Sequence, residues 1–274
     1  MKLFSKKKPG PTVGLALGSG GSRGLAHIGV IKVLLDNDIA IDHIAGASAG
    51  ALIGALYAAT KDIDFVERVA MESNQRQLMG FVLDVAVQGG LLSGDRVEQF
   101  IREHLDDVQF DQLKIPFAAV ATDLYTGDSI VLNEGDVTSA VRASISVPLV
   151  FEPVRRGTYL LADGGLSEPI PVDLVRSMGS NIVIGVNLDA PCAHANKIDD
   201  INLKSVAGAT MNILRHHLAY MHQQDADVIV EPAFEKNDLI GWEDFLHAKD
   251  LIAKGEEAML AALPQLRAIL SKRP

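Results

Sequence analysis

The stretch Asp42-His43-Ile44-Ala45-Gly46-Ala47-Ser48-Ala49-Gly50-Ala51-Leu52-Ile53-Gly54 decides how the rest of the chain is read. A short apolar run precedes the glycine-flanked serine, and a helix-like run over 51–59 follows it. Strand, tight turn and helix in that order is the setting a G-x-S-x-G nucleophile elbow requires. Gly46, Ala47, Ala49 and Gly50 are small for a physical reason: bulk at either glycine would crowd a turn whose central serine is strained. Ser48 Oγ is thereby expected at a strand end beside a helix N-terminus, where partial positive charge favours an anion. Taken alone, the same pattern also describes a close-packing turn rich in glycine and alanine.

Upstream, residues 12–17 read as a buried first strand that runs into Gly18-Ser19-Gly20-Gly21-Ser22-Arg23-Gly24. A helix follows, with Leu25, Ile28, Ile31 and Leu34 or Leu35 on one face. Two strand–helix units with near-continuous apolar strands predict an α/β fold: a mainly parallel central sheet with helices on both faces. Downstream, the pattern predicts strands over 115–124, 129–132, 149–154, 158–162, 181–188 and 227–230. Helices are predicted over 62–79, from 93 or 95 to 105, and over 137–144, 172–178, 203–224 and 245–263. Residues 79–92 read as a core helix or, through their glycines, as a lid. Strand signals lie on both sides of the polar loop 191–202. The prediction is therefore one domain over 12–274 behind a flexible basic tail, 1–11, with strand and helices over 191–274 closing the domain.

With 48% apolar and 5% aromatic residues, the 274-residue chain can bury a large aliphatic core. A net charge of −10 without a Lys/Arg-rich face argues against nucleic acid as a partner. The single cysteine, Cys192, excludes an internal disulfide framework and fits a reducing compartment. No run approaches the ~18 apolar residues that span a bilayer. Lys2, Lys6, Lys7 and Lys8 are followed by no apolar segment of a secretory signal. The reading is cytoplasmic, with peripheral membrane contact left open because each lysine near anionic lipid contributes about 1 kcal/mol.

A serine nucleophile needs a base and an oxyanion hole. Consecutive glycines after the first strand can turn backbone N–H groups outward, next to another helix N-terminus. The rival use of that loop, dinucleotide binding through G-x-G-x-x-G, meets Arg23 at the sixth position; shifting the frame by one puts Ser19 at the first. For the base, the histidines are His27, His43, His104, His194, His216, His217, His222 and His247. None stands in a loop after a strand as a hydrolase triad would place it. Asp163 does follow an apolar strand, and Gly164 and Gly165 behind it let a carboxylate approach neighbouring backbone. Asp123 and Asp128 read as turn residues.

With these stretches assembled, the sequence resembles the patatin-like phospholipases, especially their bacterial members, over about residues 12–190. The resemblance rests on Gly20-Gly21-Ser22-Arg23-Gly24, Gly46-Ala47-Ser48-Ala49-Gly50 and Asp163-Gly164-Gly165, with Arg142 to Pro148 similar to the segment before the aspartate. It implies a three-layer α/β/α fold and a Ser48–Asp163 dyad hydrolysing lipid acyl esters. It also implies an oxyanion loop at Gly20 and Gly21, anchored or made more positive by Arg23, and no metal or organic cofactor. Ser19 departs from the family, where many members have glycine, but the two hole glycines are present. Three alternatives remain open: a histidine-based triad, an acyltransferase using the same acyl-enzyme, and a regulatory or scaffold protein with a vestigial site.

Overall fold

A computed structural model describes residues 10–71, 92–189, 201–234 and 248–272. Residues 1–9 of the predicted tail, all of the 79–92 lid or core helix but Leu92, and all of the 191–202 loop but its last two residues lie outside the described residues. In chain order the elements are β1 (Val13–Leu17), α1 (Ala26–Asp36), β2 (His43–Ala47), α2 (Ala49–Thr60) and α3 (Asp95–Leu105). Then come β3 (Phe117–Asp123), β4 (Ser129–Leu132), α4 (Val137–Ser144), β5 (Val154–Arg156) and β6 (Tyr159–Asp163). The chain closes with α5 (Val172–Ser177), β7 (Ile182–Val186), α6 (Leu203–His222), β8 (Val228–Val230) and α7 (Ala248–Lys272).

Among the described residues all eight strands belong to one sheet, and β8, β7, β1, β2 and β3 pair in that order, all parallel. Alternation along the strands sorts side chains by size between the two faces. Leu15, Leu17, Ile44, Phe117, Ile182 and Ile184 pack with α1, α2 and α7 on one face. The smaller Ala16, Ala45 and Ala118 meet Val172 and Val175 of α5 and Ala219 of α6 on the other. A layer of helices on each face of a mainly parallel sheet is the predicted α/β/α arrangement.

One feature of the pairing positions the functional centre. β3 pairs β2 through Ala47↔Val120, and its next residue pairs β6 through Ala121↔Asp163. Strand β4 pairs residues 119–122 of β3, overlapping both neighbours, and therefore occupies the opposite edge. Strands β2 and β6 thus share one edge of β3 and meet end to end. The residue after Ala47 is Ser48, so this register alone brings Ser48 and Asp163 together.

Two sequence expectations shift. Instead of a strand over 149–154, residues 148–150 turn, with Leu149 at φ +68°, and strand pairing begins only at Val154. The reason is a competing partner: Leu92 N donates to Val150 O and Glu152 N to Leu92 O, drawing this segment away from the sheet. The last helix does not stop before Pro264 but runs on to Lys272. Proline inside a helix costs about 3 kcal/mol; burying Leu263 and Leu266, at roughly 1.5–3 kcal/mol each, offsets it. Among the described residues no helix is long and apolar enough to cross a membrane.

Candidate active site

Ser48 stands between β2 and α2 with φ +54° and ψ −121°, a backbone conformation that costs an L-residue energy. The surroundings hold it there. Its N–H donates to Ser144 Oγ at 3.0 Å, and Ser144 Oγ–H donates on to Val120 O at 2.6 Å. The flanking glycines are required by close approach. A Cβ on Gly46 would stand 2.4 Å from Gly50 O, and one on Gly50 would stand 2.1 Å from Leu17 O. Ala47 and Ala49 complete the elbow on either side of the serine.

Ser48 Oγ donates to Asp163 Oδ2 at 2.6 Å, and both residues are buried. The other carboxylate oxygen, Oδ1, accepts from Gly165 N at 2.8 Å, so the Asp163-Gly164-Gly165 turn fixes the carboxylate plane. Asp163 N donates to Ser146 O, and Ser146 Oγ in turn accepts from Arg142 Nη1. The stretch from Arg142 to Ser146 therefore supports both members of the pair, one through Ser144 and the other through Ser146. Burial pushes the Asp163 carboxyl up to about 6, against the hydrogen bonds from Ser48 and Gly165 and the Arg215 charge, which favour ionisation.

The glycine loop leaves β1 and turns through Gly21-Ser22-Arg23-Gly24-Leu25 as a single 3-10 turn before α1. His27, wholly buried at the start of α1, sits 2.7 Å through Nε2 from Gly18 O; burial lowers its pKa to about 4, so neutral Nε2–H is the donor. Arg23 does not reach into the pocket. Its Nε donates to Gly20 O at 3.3 Å, its own N–H to the same oxygen at 3.2 Å, and Nη2 to Asp189 at 3.0 Å. In a trans peptide the C=O and the following N–H point in opposite directions. Holding Gly20 O inward therefore turns the Gly21 N–H outward, and Gly21 lines the same pocket as Ser48 and Asp163.

Gly165, Val147, Pro148, Leu166, Met211 and Arg215 complete that pocket. Of the histidines named above, His216 binds Asp189 O through Nδ1 at 2.6 Å and His217 is exposed. His194 and His247 lie outside the described residues. Among the described residues, no histidine hydrogen-bonds Ser48, and no group of three His, Cys, Asp or Glu side chains could hold a metal ion. Asp123, at the end of β3, accepts from Leu160 N, Tyr125 N and Thr126 Oγ1, the work of a turn residue. Sequence reading missed Ser144, Asp189 and Arg215. Asp189 comes three residues after the buried strand β7, as Asp163 comes at the end of β6, and that nearness to a strand end was the available signal.

The family model for patatin-like phospholipases matches residues 15–176, which hold the glycine loop, the elbow and the Asp-Gly-Gly turn. An "Uncharacterized NTE family protein" of Mycobacterium tuberculosis is 38% identical over 179 residues, covering 65% of this chain and 49% of the relative. "Patatin-like phospholipase domain-containing protein 6" of Mus musculus is 32% identical over 184 residues, 65% of this chain and 14% of that protein. The chain thus spans about half the length of the mycobacterial relative. Among solved structures, VipD from Legionella pneumophila superposes with a TM-score of 0.53 at 14% identity, covering 93% of this chain and 67% of that one. That likeness concerns the fold.

Proposed function

The chain belongs to the patatin-like phospholipase family, and from that premise we propose that it hydrolyses lipid acyl esters through Ser48 as nucleophile and Asp163 as base. The observation that carries the reading is the 2.6 Å hydrogen bond from Ser48 Oγ to Asp163 Oδ2, in a pocket beside the glycine loop. With its pKa at about 6, Asp163 is a stronger base than an ordinary aspartate and is still ionised at neutral pH.

Asp163 takes the proton as Ser48 Oγ bonds to the ester carbonyl carbon. The carbonyl oxygen becomes an oxyanion, stabilised by the amides of Gly20 and Gly21 and by the N-terminus of α2. The carbon–oxygen bond to the alcohol then breaks, Asp163 returns the proton to the leaving oxygen, and an acyl-enzyme remains. Water enters, gives its proton to Asp163 and attacks; the serine leaves with that proton and a carboxylic acid departs. In this scheme Arg23 is an anchor of the loop, not a ligand of the oxyanion. Ser22 and Gly24 are buried in the loop's turn, and a Cβ on Gly24 would stand 2.4 Å from the Cβ of Ala49.

The test is hydrolysis of p-nitrophenyl esters from acetate to palmitate by the wild type, Ser48→Ala and Asp163→Ala. Turnover in the wild type that disappears in both variants is the expected result, and the chain-length series then measures the acyl preference. Silence of the wild type on every ester, together with no fluorophosphonate adduct on Ser48, overturns the proposal in favour of a vestigial site.

A further inference from the structure

Just beyond the pocket, against its lining residue Arg215, lies a second buried carboxylate that the mechanism above does not use. Asp189 lies three residues past the end of β7 and is 6% exposed. Its side chain accepts from Arg23 Nη2 at 3.0 Å, from Ser19 Oγ at 3.3 Å, and from Arg215 twice, Nε to Oδ2 and Nη2 to Oδ1, each at 2.7 Å. Its backbone carbonyl meets His216 Nδ1 at 2.6 Å, and its N–H donates to Asn187 Oδ1 at 2.8 Å. Arg23 and Ser19 belong to the glycine loop; Arg215 and His216 belong to α6, whose Met211 and Arg215 form a wall of the pocket.

We infer that Asp189 is a positioning residue: it locks the glycine loop to the α6 wall, so that the Gly21 amide and the substrate pocket are set by one carboxylate. The chain of contacts is continuous. Asp189 fixes the Arg23 guanidinium, Arg23 Nε holds Gly20 O, and the Gly20–Gly21 peptide then presents its N–H to the pocket. On the other side a two-point Arg–carboxylate fork fixes orientation as well as distance, which a single bond would not. Three elements distant in sequence thereby share one anchor. The inference rests on the hydrolase reading for its catalytic consequence, but not for its structural one.

The closing experiment reads both consequences, on the full-length chain with Asp189→Asn and Arg23→Lys. Arg23→Lys keeps the charge but cannot reach Gly20 O and Asp189 together, so it serves if Asp189→Asn folds poorly. Hydrogen–deuterium exchange is expected to rise at once in peptides covering 18–25 and 209–219 in either variant, and to stay unchanged in α2. Ester turnover is expected to fall roughly 10²–10³-fold in kcat, the usual consequence of a misplaced oxyanion donor, with KM changed less. In Asp189→Asn the acid limb of the pH profile should also move to lower pH. The charged groups facing Asp163 are Arg215 from α6 and Asp189 after β7, and removing the second leaves the first uncompensated. Joint loosening with a wild type inert on all esters would leave the anchor intact and sink the hydrolase reading. Unchanged exchange in both peptides, or a kcat within twofold of wild type with an unmoved acid limb, would overturn the inference.

Discussion

Two carboxylates, Asp163 in the pocket and Asp189 behind its lining residue Arg215, are equally buried, and their surroundings drive them in opposite directions. Asp163 is met by neutral donors, Ser48 Oγ and Gly165 N, with Arg215 acting only at a distance. Burial wins there, and the carboxyl is raised to about 6. Burial would raise Asp189 too, but the Arg215 and Arg23 guanidiniums and their hydrogen bonds outweigh it and hold that carboxyl below its ordinary value. Burial alone therefore does not make a base. A carboxylate that two arginines clamp is an anchor; one that only weak donors touch is available for a proton.

The difference can be broken most forcefully at Asp163. Replacing it by Asn keeps the size and removes the base, and kcat for ester hydrolysis should fall roughly 10²–10⁴-fold, measured by steady-state kinetics. Asp189→Asn should act on stability as well as on turnover. It leaves Arg23 and Arg215 facing a neutral amide in a buried site, and unfolding in urea should report about 3–5 kcal/mol lost.

Asp163→Asn should move stability the other way, with a pH dependence fixed in sign. A carboxyl at about 6 when folded, against 3.8 as the ordinary value, binds more protons in the native state between those values. Stability from this group therefore grows as pH falls through about 6, and above it the buried charge costs about 3 kcal/mol. The Asn variant should melt several degrees higher than wild type at pH 8, with the gap closing by pH 4. Asp189 contributes in the usual carboxylate sense, present above the unfolded pKa and lost as pH falls through its depressed folded value. A smaller loss is expected from Ser144→Ala, which strands the buried Ser48 N–H at about 1–3 kcal/mol of stability and slows turnover. The smallest effect is expected at exposed His217, whose alanine variant should keep turnover within twofold.

The Ser48–Asp163 pair was legible because each part sits in a contiguous stretch with a local reason for its composition. Gly46 and Gly50 are small because backbone approaches them, and the Asp163-Gly164-Gly165 turn points its own amide at the carboxylate. The parallel core was legible from apolar strands alternating with helices. The supporting residues were not, because the sheet assembles them across long separations. Ser144 lies 96 residues from Ser48, and Asp189 lies 166 residues from Arg23. No local pattern marks such a partner. The strand expected at 149–154 failed for a related reason: its hydrogen bonds go to Leu92, a partner the segment itself does not name.

The measurement that tests this account most directly is the pH dependence of Ser48 inactivation by a fluorophosphonate, in the wild type and in Asp163→Asn. The wild-type rate should rise with pH through a single ionisation near 6 and level off above it, because only ionised Asp163 accepts the serine proton. The Asn variant should be labelled slowly at every pH, without that inflection. A variant labelled as fast as the wild type, or an inflection that survives in Asp163→Asn, would contradict Asp163 as the base.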